Sequence, residues 1–383
     1  MGGAILFSMF FLIFGLLNFY VFIRGWQAIP TGAAFKLIYA VLYWVIVASF
    51  FIGRSLENTF PSLLTETFTW IGSFWIAALI YLFLAVVVLD LLRVVNHFLP
   101  FFPAAIRSDY ARAKYMTAII LLGTVVLTLV GGHVNSRIPR VRKLELSVEK
   151  KAGDLKNLNI VMVSDIHLGI IIGSSRLKSI VEKINALHPD IVLLPGDIVD
   201  GNIEPVIREN LGEELRRIQA KYGVFASTGN HEYIGGVEDA CSYLSNHNIN
   251  MLRDRSVKIA DAFFIIGRED RSLNRRSGLR GDLKELVNAV DRELPIILLD
   301  HQPFDLGDAA TSGVDLQLSG HTHYGQFWPA NYIVEAIYEL AWGYKRIGAT
   351  HYYVSNGVGT WGPPVRIGNR PEIVCIRLNF KQE

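Results

Sequence analysis

The hydrophobic pattern divides the chain into two parts. Residues 1–135 contain almost all of the long apolar runs, and from residue 136 onward shorter apolar runs alternate with polar segments. Four runs are long enough to cross a bilayer, which takes about 20 mainly apolar residues: Ala4–Ile23, Ala33–Gly53, Trp70–Leu92 and Tyr115–Val134. Because four such runs in succession have no polar face to offer water, residues 1–134 are predicted to form a transmembrane domain rather than a buried helical bundle.

The rest of the chain has the pattern of an α/β domain. Residues 135–157 are a polar linker that includes a first strand at Leu144–Val148, where apolar and polar positions alternate. Strands and helices then alternate over residues 158–383, which predicts a layered sandwich. Helices are expected at Ser174–Leu187, Glu209–Ala220, Val237–Asn246 and Leu283–Arg292, and strands at Met251–Ile259, Phe263–Gly267, His351–Ser355 and Glu372–Leu378.

Five of the apolar runs between residues 161 and 323 end in side chains that commonly bind metals. These side chains are Asp165 and His167, Asp197, Asn230 and His231, His301, and His321 and His323. Buried strands that deliver such ligands at one sheet edge can build a metal cage from distant parts of a sequence. If each His or Asp pair lies on extended backbone, the alternation of side chains places both of its members on one face. Singly, each motif also fits a turn, a helix cap or a surface pair; jointly, they indicate a metal centre.

The five motifs resemble those of the calcineurin-like metallophosphoesterase family, with every ligand position filled in order across residues 158–323. The tail from Tyr338 onward, which includes Trp361 and Arg366, looks like the bacterial branch that often carries an N-terminal membrane anchor. The resemblance implies a four-layer α/β (α+β) sandwich with a site for two metal ions at the strand ends. It also implies a multi-pass protein of the bacterial plasma (inner) membrane.

The resemblance further implies a role for each motif residue. Asp165, His167 and His323 are expected to hold one metal, Asp197 to bridge, and Asn230, His301 and His321 to hold the second. His231 is expected to stay unligated as a general acid or a stabiliser of transition-state charge, with Asp200 beside the ligands. Two divalent ions are implied, with Mn²⁺ expected and Fe or Zn²⁺ also compatible with such ligands. The implied reaction is attack of a metal-bridging hydroxide on phosphorus while His231 assists the leaving oxygen.

Two segments are candidates for choosing the substrate. Five arginines fall within Arg268–Arg280, and this segment is either a cap that binds an anion, with Arg275 and Arg276 as contacts, or a solvated loop. The aromatic and apolar segment Phe327–Tyr344 is either a lip that dips into the membrane interface or a core helix beneath the sheet. Tyr324 and Arg366 are further candidate substrate contacts.

The charges beside the spans give conflicting indications of orientation. The first and third loops carry Arg24, Lys36, Arg93, Arg107, Arg112 and Lys114, whereas the second carries only Arg54 with two glutamates. Because positive loops stay in the cytoplasm, this pattern favours an extracytoplasmic catalytic domain. The basic residues of the segment 137–143, directly after the last span, point the other way. No ionisable residue lies centrally in the four runs, which disfavours a transporter.

Together these features predict a membrane-bound dinuclear-metal phosphohydrolase. Its expected partners are membrane lipids and a lipid-linked or small phosphorylated substrate with a phosphoester or pyrophosphate bond. The alternatives are a phosphodiesterase for soluble nucleotides and a non-catalytic membrane scaffold with a degenerate site. A net charge of +2 gives no reason to expect a nucleic-acid partner. Two cysteines, Cys241 and Cys375, form neither a zinc spacing nor a disulfide framework.

Overall fold

A computed structural model of the protein describes residues 2–30, 32–57, 59–273 and 280–382. The chain divides into two compact units, Met1–Gly132 and His133–Glu383. The helices are α1 Gly2–Ala28, α2 Ala33–Leu56, α3 Leu63–Phe98, α4 Ala104–Ser108, α5 Tyr110–Ser136, α6 Ser174–Asn185, α7 Glu204–Arg208, α8 Leu211–Leu215, α9 Asn230–Gly235, α10 Val237–Ser245, α11 Leu283–Asn288, α12 Leu306–Ser312 and α13 Ala330–Ile337.

The N-terminal unit contains four helices that are long and apolar enough to cross a membrane, as predicted. Their candidate spans are Ser8–Ala28, Ala33–Leu56, Leu63–Phe98 and Tyr110–Ser136. Large apolar side chains such as Leu12, Phe35 and Leu127 are exposed along them, which suits a lipid environment better than water. The third helix extends beyond the predicted span, so that Asp90 and Arg93 both lie within it.

Close contacts between helices of this unit use small and polar residues. A side chain at Gly72 would meet the backbone of Phe50, so the absence of one lets α2 and α3 approach each other. The Asp90 carboxylate is paired with Arg24 at 2.6 Å and with Arg93 at 2.8 Å. The Asp90 carboxylate therefore balances part of the positive charge near the ends of α1 and α3.

The C-terminal unit is built on two six-stranded sheets. One has the order β1-β12-β2-β3-β4-β5 and the other β10-β11-β9-β8-β7-β6. The strands are β1 Arg140–Val148, β2 Asn157–Met162, β3 Ile191–Pro195, β4 Val224–Ser227, β5 Ile249–Met251, β6 Arg255–Ile259, β7 Phe263–Gly267, β8 Ile296–Leu299, β9 Leu316–Ser319, β10 Gly343–Ile347, β11 Thr350–Val354 and β12 Glu372–Phe380.

Alternation of side chains along the strands separates the layers of the sandwich. On β2, Ile160 and Met162 join a core cluster that contains residues of both sheets, such as Leu193 and Leu318. Val161 points the other way and packs in a cluster with apolar residues of α6 and α10. A third cluster joins β7, β8 and β11 to α11 and α12. The order of layers is therefore helix, sheet, sheet, helix, which confirms the predicted four-layer fold.

Several predicted elements are divided or shortened in the structure. The predicted strand Met251–Ile259 is two strands, because β5 is the edge of one sheet and β6 is the edge of the other. The chain changes sheets between them, at a turn where Asp254 has a φ of 47°. The predicted helix Glu209–Ala220 is reduced to α8, which ends at Leu215.

Parallel pairing brings the motif-bearing ends of the strands together. Within one sheet β2, β3 and β4 are mutually parallel, and within the other β7, β8 and β9 are. Five of these strands (β2, β3, β4, β8 and β9) are followed directly by the predicted metal-ligand motifs. The carboxyl ends of parallel strands lie at one sheet edge, so both sheets present their motifs at that edge.

Candidate metal centre

The backbone that carries the motifs is not extended, contrary to our expectation. Strand β2 ends at Met162 and β9 ends at Ser319, so neither pair of alternating ligands lies on a strand. Left-handed backbone is found instead at Asp165, His167, Asp197, His321 and His323, with φ between 46° and 71°. Such conformations are costly for non-glycine residues and persist where the surrounding structure imposes them, typically at functional sites. The pairs converge because of these loop conformations and not because of strand alternation.

One group of potential ligands consists of Asp165, His167 and His323. Their ligand atoms lie within 4.8 Å of one another, and all three residues are buried. The Nε2 atoms of the two histidines are 3.0 Å apart, and His323 Nε2 is 3.4 Å from Asp165 Oδ1. His167 Nδ1 lies 3.1 Å from Asp200 Oδ1 and can donate to that carboxylate. This bond leaves a lone pair on His167 Nε2, the nitrogen that faces the group.

A second group consists of Asp197, His301 and His321. His301 Nδ1 lies 2.8 Å from the carbonyl oxygen of Pro195, which can only accept, so the proton of the neutral ring is on Nδ1. His301 Nε2 then offers a lone pair, and it is 3.1 Å from Asp197 Oδ2, which is also an acceptor. Burial lowers the pKa of His301, but the charge of the nearby Asp197 carboxylate outweighs burial and raises this pKa well above its usual range, so this position favours a positive charge, either a proton or a metal ion. Asp197 Oδ2 is also 3.8 Å from His167 Nε2, so this carboxylate lies between the two groups.

Several buried polar atoms at this edge have no hydrogen-bond partner among the described residues. They include Asp165 Oδ2, Asn230 Oδ1 and His301 Nε2. A buried polar atom without a partner costs roughly 1–3 kcal/mol, so native structures seldom retain several in one place without a purpose. Carboxylate and amide oxygens together with imidazole nitrogens are donors that divalent transition metals accept. The donor set therefore fits a cluster of divalent ions.

Burial keeps two of the site's histidines, His321 and His323, neutral. Burial, together with the neighbouring His301, lowers the pKa of His321 to about 4. Burial and the nearby His167 and Arg366 hold the pKa of His323 well below its usual range. Both rings are therefore neutral at pH 7, which is the form that binds a metal. Burial raises the pKa of Asp165.

His231 and Asp200 form a third group that shares His167 with the first. His231 Nδ1 is 3.3 Å from Asp200 Oδ1, and the backbone N–H of His231 donates to Asp197 Oδ1 at 2.9 Å. Burial lowers the pKa of His231, but the hydrogen bond to Asp200 and the charge of Asp197 outweigh it and raise the pKa overall. The ring is thus suited to carry a proton beside the metal groups.

Glu232 is a functional residue that the sequence interpretation missed. It is fully buried, and its carboxylate accepts from the backbone N–H groups of Asp197, Ile198, Val199 and Gly229 at 2.7–3.1 Å. It thereby fixes the loop that bears Asp197 to the start of α9, which bears Asn230 and His231. A glutamate three residues after Gly229, at the third position of a helix, is a capping-box signal that could have revealed it.

Arg366, an expected substrate contact, is directed into the protein in this structure. The side chain is fully buried, and its guanidinium donates to the carbonyl oxygens of Gly357, Gly359 and His323. One of its nitrogens is 3.2 Å from His323 Nδ1. Its N–H groups are hydrogen-bonded to carbonyl oxygens inside the protein. Arg366 therefore holds the candidate metal ligand His323 in place from the side of Nδ1.

The other expected substrate contacts have different outcomes. The Tyr324 hydroxyl is hydrogen-bonded to Glu335 of α13, and its ring packs on Trp342 at 5.1 Å, so Tyr324 connects the site to that helix. Arg275 and Arg276 lie outside the residues that the structure describes.

The described arginines of the Arg268–Arg280 segment are paired within the protein. Arg268 and Arg280 both contact Asp300, at 3.3 and 2.5 Å, and Arg271 contacts Asp305 at 2.7 Å. These three side chains are therefore not a free anion-binding cap.

An open cleft lies beside the second group. It has a volume of about 400 Å³ and is lined partly by Asn230, Ile234, Phe304, His321 and Tyr338. The rings of Phe304 and Tyr338 are 4.7 Å apart and form an aromatic wall. Potential ligands and apolar side chains thus share one cleft.

Helix α13 follows the His321–His323 turn and is not a core helix. None of residues 330–337, all of which the structure describes, is buried. Its apolar side chains Tyr332, Ile333 and Ile337 are 62%, 63% and 58% exposed, and Trp328 just before it is 50% exposed. The core interpretation of this segment was therefore wrong. The exposed apolar side chains of α13 therefore form a surface close in sequence to the candidate ligands His321 and His323.

The chain is similar to several known metallophosphoesterases. Residues 158–325 match the family model described as calcineurin-like phosphoesterase. A metallophosphoesterase of Campylobacter jejuni is 30% identical over 385 residues and is matched over 97% of both chains. One from Helicobacter pylori is 33% identical over 64% of this chain and 65% of its own length. A zebrafish transmembrane protein with a metallophosphoesterase domain is 33% identical over 68% of this chain and 62% of its own length.

The extent of these matches differs between relatives. The chain spans a little less than two thirds of the Helicobacter pylori and zebrafish proteins but nearly all of the Campylobacter jejuni protein. The family match covers the strands and loops that carry the candidate ligands. With its apolar N-terminal helices, the protein is a membrane protein. The chain belongs to the calcineurin-like metallophosphoesterase family.

Proposed function

We propose that the protein is a membrane-bound phosphohydrolase that uses two divalent metal ions. Its substrate is a phosphoester or pyrophosphate that is lipid-linked or otherwise held at the membrane. The observation that carries this proposal is the convergence of buried carboxylates, imidazoles and an unpartnered amide oxygen beside an open cleft with an aromatic wall.

The ligand assignment of this proposal follows the expected one. Asp165, His167 and His323 would hold one ion, and Asn230, His301 and His321 would hold the other. Asp197, which lies between the groups, contacts both. When bound, the ions supply Lewis acidity that neutralises phosphoryl oxygens and makes water acidic enough to act as a nucleophile near pH 7. Mn²⁺ is our first choice of metal, and Fe or Zn²⁺ fits the same ligands.

His231 gives the leaving oxygen its proton in this proposal. Nδ1 of the ring lies 3.3 Å from Asp200 Oδ1, which leaves Nε2 to act on the substrate. Burial lowers the pKa of His231, but its contact with Asp200 and the charge of Asp197 raise it overall, which favours the protonated ring that this step needs. Asp200 also holds His167, so one carboxylate orients both a ligand and the acid.

A membrane substrate is supported by the surroundings of the site. The exposed apolar helix α13 begins seven residues after His323 and is joined to the site by the Tyr324–Glu335 hydrogen bond. Exposed aromatic and branched side chains favour the interfacial layer of a bilayer. The protein is held at a membrane by its apolar helices, so a lipid headgroup is a substrate within reach.

From the loop charges we propose an extracytoplasmic catalytic domain in a bacterial plasma membrane.

Phosphate release by the full-length protein in detergent with Mn²⁺ tests the proposal. The panel contains lipid phosphates, lipid pyrophosphates and soluble nucleotides, and Asp197→Asn is compared throughout. We expect hydrolysis of a lipid substrate, reduced on the order of 100-fold or more in the variant because the shared ligand is lost. Hydrolysis of soluble nucleotides alone would favour the phosphodiesterase alternative. Wild-type protein that binds metal but hydrolyses none of these substrates would favour a scaffold.

A further inference from the structure

A second cleft, away from the metal ligands, is rich in positive charge. It has a volume of about 650 Å³ and is lined by Arg140, Arg142, Lys143 and Arg370, with Trp342 as an aromatic wall. Arg142 lies over the Trp342 ring at 4.9 Å. Three of the four cations belong to the start of the edge strand β1, which leaves their side chains exposed.

The cleft lies where the polypeptide leaves its last apolar helix. Residues 133–136, the final turn of α5, belong to the C-terminal unit and are hydrogen-bonded to its loop 364–370. Asn135 is part of the cleft wall, and its Oδ1 accepts from Arg370 Nε at 2.9 Å. A membrane-spanning helix that ends at Ser136 brings the headgroup layer to this turn, so the cleft is within reach of lipid headgroups.

The charge of the cleft is not balanced by its acidic residue. Glu372 is the carboxylate in the lining, and it is buried and faces inward. It accepts from Trp342 Nε1 at 2.9 Å, from the Tyr353 hydroxyl at 3.1 Å and from the Asn356 backbone at 3.2 Å. Its contact with Arg142 is long, at 3.6 Å. The four cations therefore face a ligand with little internal compensation.

Two of the cations have no ion-pair partner among the described residues. They are Arg140 and Lys143, whereas Arg142 stacks on Trp342 and Arg370 is held by Asn135. A run of basic residues after a span is often only an orientation signal on a solvated surface. Here the basic side chains line a concave site with an aromatic wall. That arrangement is typical of an anion-binding site.

We propose that this cleft binds the phosphate group of an anionic lipid headgroup and fixes the C-terminal unit at the membrane surface. Guanidinium and ammonium groups complement phosphate, and these basic residues lie directly after a span, where anionic headgroups are within reach. Free phosphate has the same charged oxygens as the headgroup, but the position of the cleft at the end of a membrane-spanning helix favours the lipid. This proposal is independent of catalysis, since it involves none of the residues assigned to the metal site.

Binding of short-chain lipids to the full-length protein tests the proposal. Native mass spectrometry in a non-ionic detergent with EDTA measures the affinity for phosphatidylglycerol, for phosphatidylcholine with the same chains, and for inorganic phosphate. The test variant combines Arg140→Gln and Lys143→Gln. It leaves Arg142, which stacks on Trp342, and Arg370, which is hydrogen-bonded to Asn135, unchanged. The control is Lys178→Gln with Lys284→Gln, the same loss of charge at two exposed helix positions.

We expect wild-type protein to bind phosphatidylglycerol in preference to phosphatidylcholine and to inorganic phosphate. The test variant should bind it at least roughly tenfold more weakly, because it loses two charge-assisted contacts with the phosphate group. The control should bind like wild type. Equal binding by the test variant, or inorganic phosphate bound as tightly as the lipid, would overturn the proposal. Failure of the hydrolysis assay above leaves this result unaffected.

Discussion

Single buried side chains hold the metal-ligand loops in their left-handed conformations. The Glu232 carboxylate accepts hydrogen bonds from four backbone N–H groups, three in the loop that bears Asp197 and one at Gly229. Burial raises the pKa of Glu232, the charge of Asp197 adds to this, and the N–H donors from Val199 and Gly229 oppose it. The position of Asp197 therefore depends on a residue that is not itself a candidate ligand.

Glu232→Gln tests this dependence without changing the size of the side chain. The amide NH₂ would face backbone donors, and each unsatisfied buried group costs roughly 1–3 kcal/mol. We expect a lower melting temperature, a lower content of bound Mn²⁺ and a lower kcat, measured by calorimetry, elemental analysis and phosphate release. Glu238→Gln is the control, because that side chain is exposed and pairs with Arg253 at the surface. Full metal content in Glu232→Gln would contradict the assigned role.

Arg366→Lys distinguishes support of His323 from contact with substrate. Lysine has one nitrogen and cannot reproduce the fork that reaches the carbonyl groups of Gly357, Gly359 and His323. We expect destabilisation of about 2–4 kcal/mol, a lower kcat and an unchanged KM. Arg217→Lys, at an exposed surface ion pair, should behave like wild type. A raised KM with normal stability would restore the substrate-binding interpretation.

Among the secondary-structure elements, α13 is unusual because its apolar residues are left outside the core. The helix is short and follows a turn with left-handed residues, and it is connected to that turn by the Tyr324–Glu335 hydrogen bond. Two apolar residues, Ile333 and Ile337, lie one helical turn apart and so share a face. This face can meet a bilayer or an acyl chain while the site stays open.

Replacement of Ile333 and Ile337 by Gln tests the role of this face. Burial of an isoleucine side chain is worth about 1.5–3 kcal/mol, so partial burial of two should change kcat/KM on vesicle-bound substrate by at least roughly tenfold. Hydrolysis of a soluble phosphoester should be unchanged. The control Ile207→Gln alters an exposed isoleucine on α7. Equal losses on both substrates would mean that α13 supports the site and not the lipid.

At the scale of the whole molecule, the metal centre joins the two sheets. Its ligands follow β2, β3 and β4 in one sheet and β8 and β9 in the other. Bound metals would therefore stabilise the packing of one sheet on the other. Any ligand that binds only the folded state raises stability, by about 2.7 kcal/mol for one site at 100 times its Kd.

Metal removal should accordingly lower the melting temperature of the C-terminal unit. We expect EDTA-treated protein to recover on addition of Mn²⁺, with about two ions bound per chain. Asp197→Asn should lose most of the recovery, whereas Asp261→Asn, at a nearly fully exposed side chain, should retain it. Differential scanning calorimetry and elemental analysis provide the measurement. An Asp197→Asn protein that still binds two ions would exclude Asp197 as a shared ligand.

Orientation in the membrane is a second property of the whole molecule. A cysteine in place of the exposed Lys178 would be labelled by a membrane-impermeant maleimide in intact spheroplasts if the catalytic domain is extracytoplasmic. The native cysteines react less readily, because Cys241 is buried and Cys375 is half-buried. Wild-type protein is therefore the control. Labelling only after lysis would place the domain in the cytoplasm, in agreement with the basic segment 137–143.

Local pattern was sufficient to predict much of this protein. The lengths of the apolar runs predicted the four helices, and the alternation of short strands with helices predicted the layered sandwich. The motifs from Asp165 to His323 predicted where ligands gather, because each ligand directly follows an apolar run. The helices and strands depend on residues that are neighbours in sequence, which is why the sequence alone determined them, whereas the convergence of the motifs also depends on the order of the strands in the two sheets.

Features that depend on how distant surfaces meet were decided only by the tertiary structure. Glu232 and Arg366 acquire their roles from backbone groups of other loops, and the described arginines near Asp300 are paired rather than free. The apolar side chains of α13 are exposed because the rest of the C-terminal unit does not cover them, which the pattern of the helix itself does not reveal. Likewise, the basic segment after the last span forms a cleft only because β1 lies at a sheet edge beside Trp342. A hydrophobic or charged pattern indicates which side chains of a segment can be buried or ion-paired. Which residues they contact depends on the three-dimensional packing.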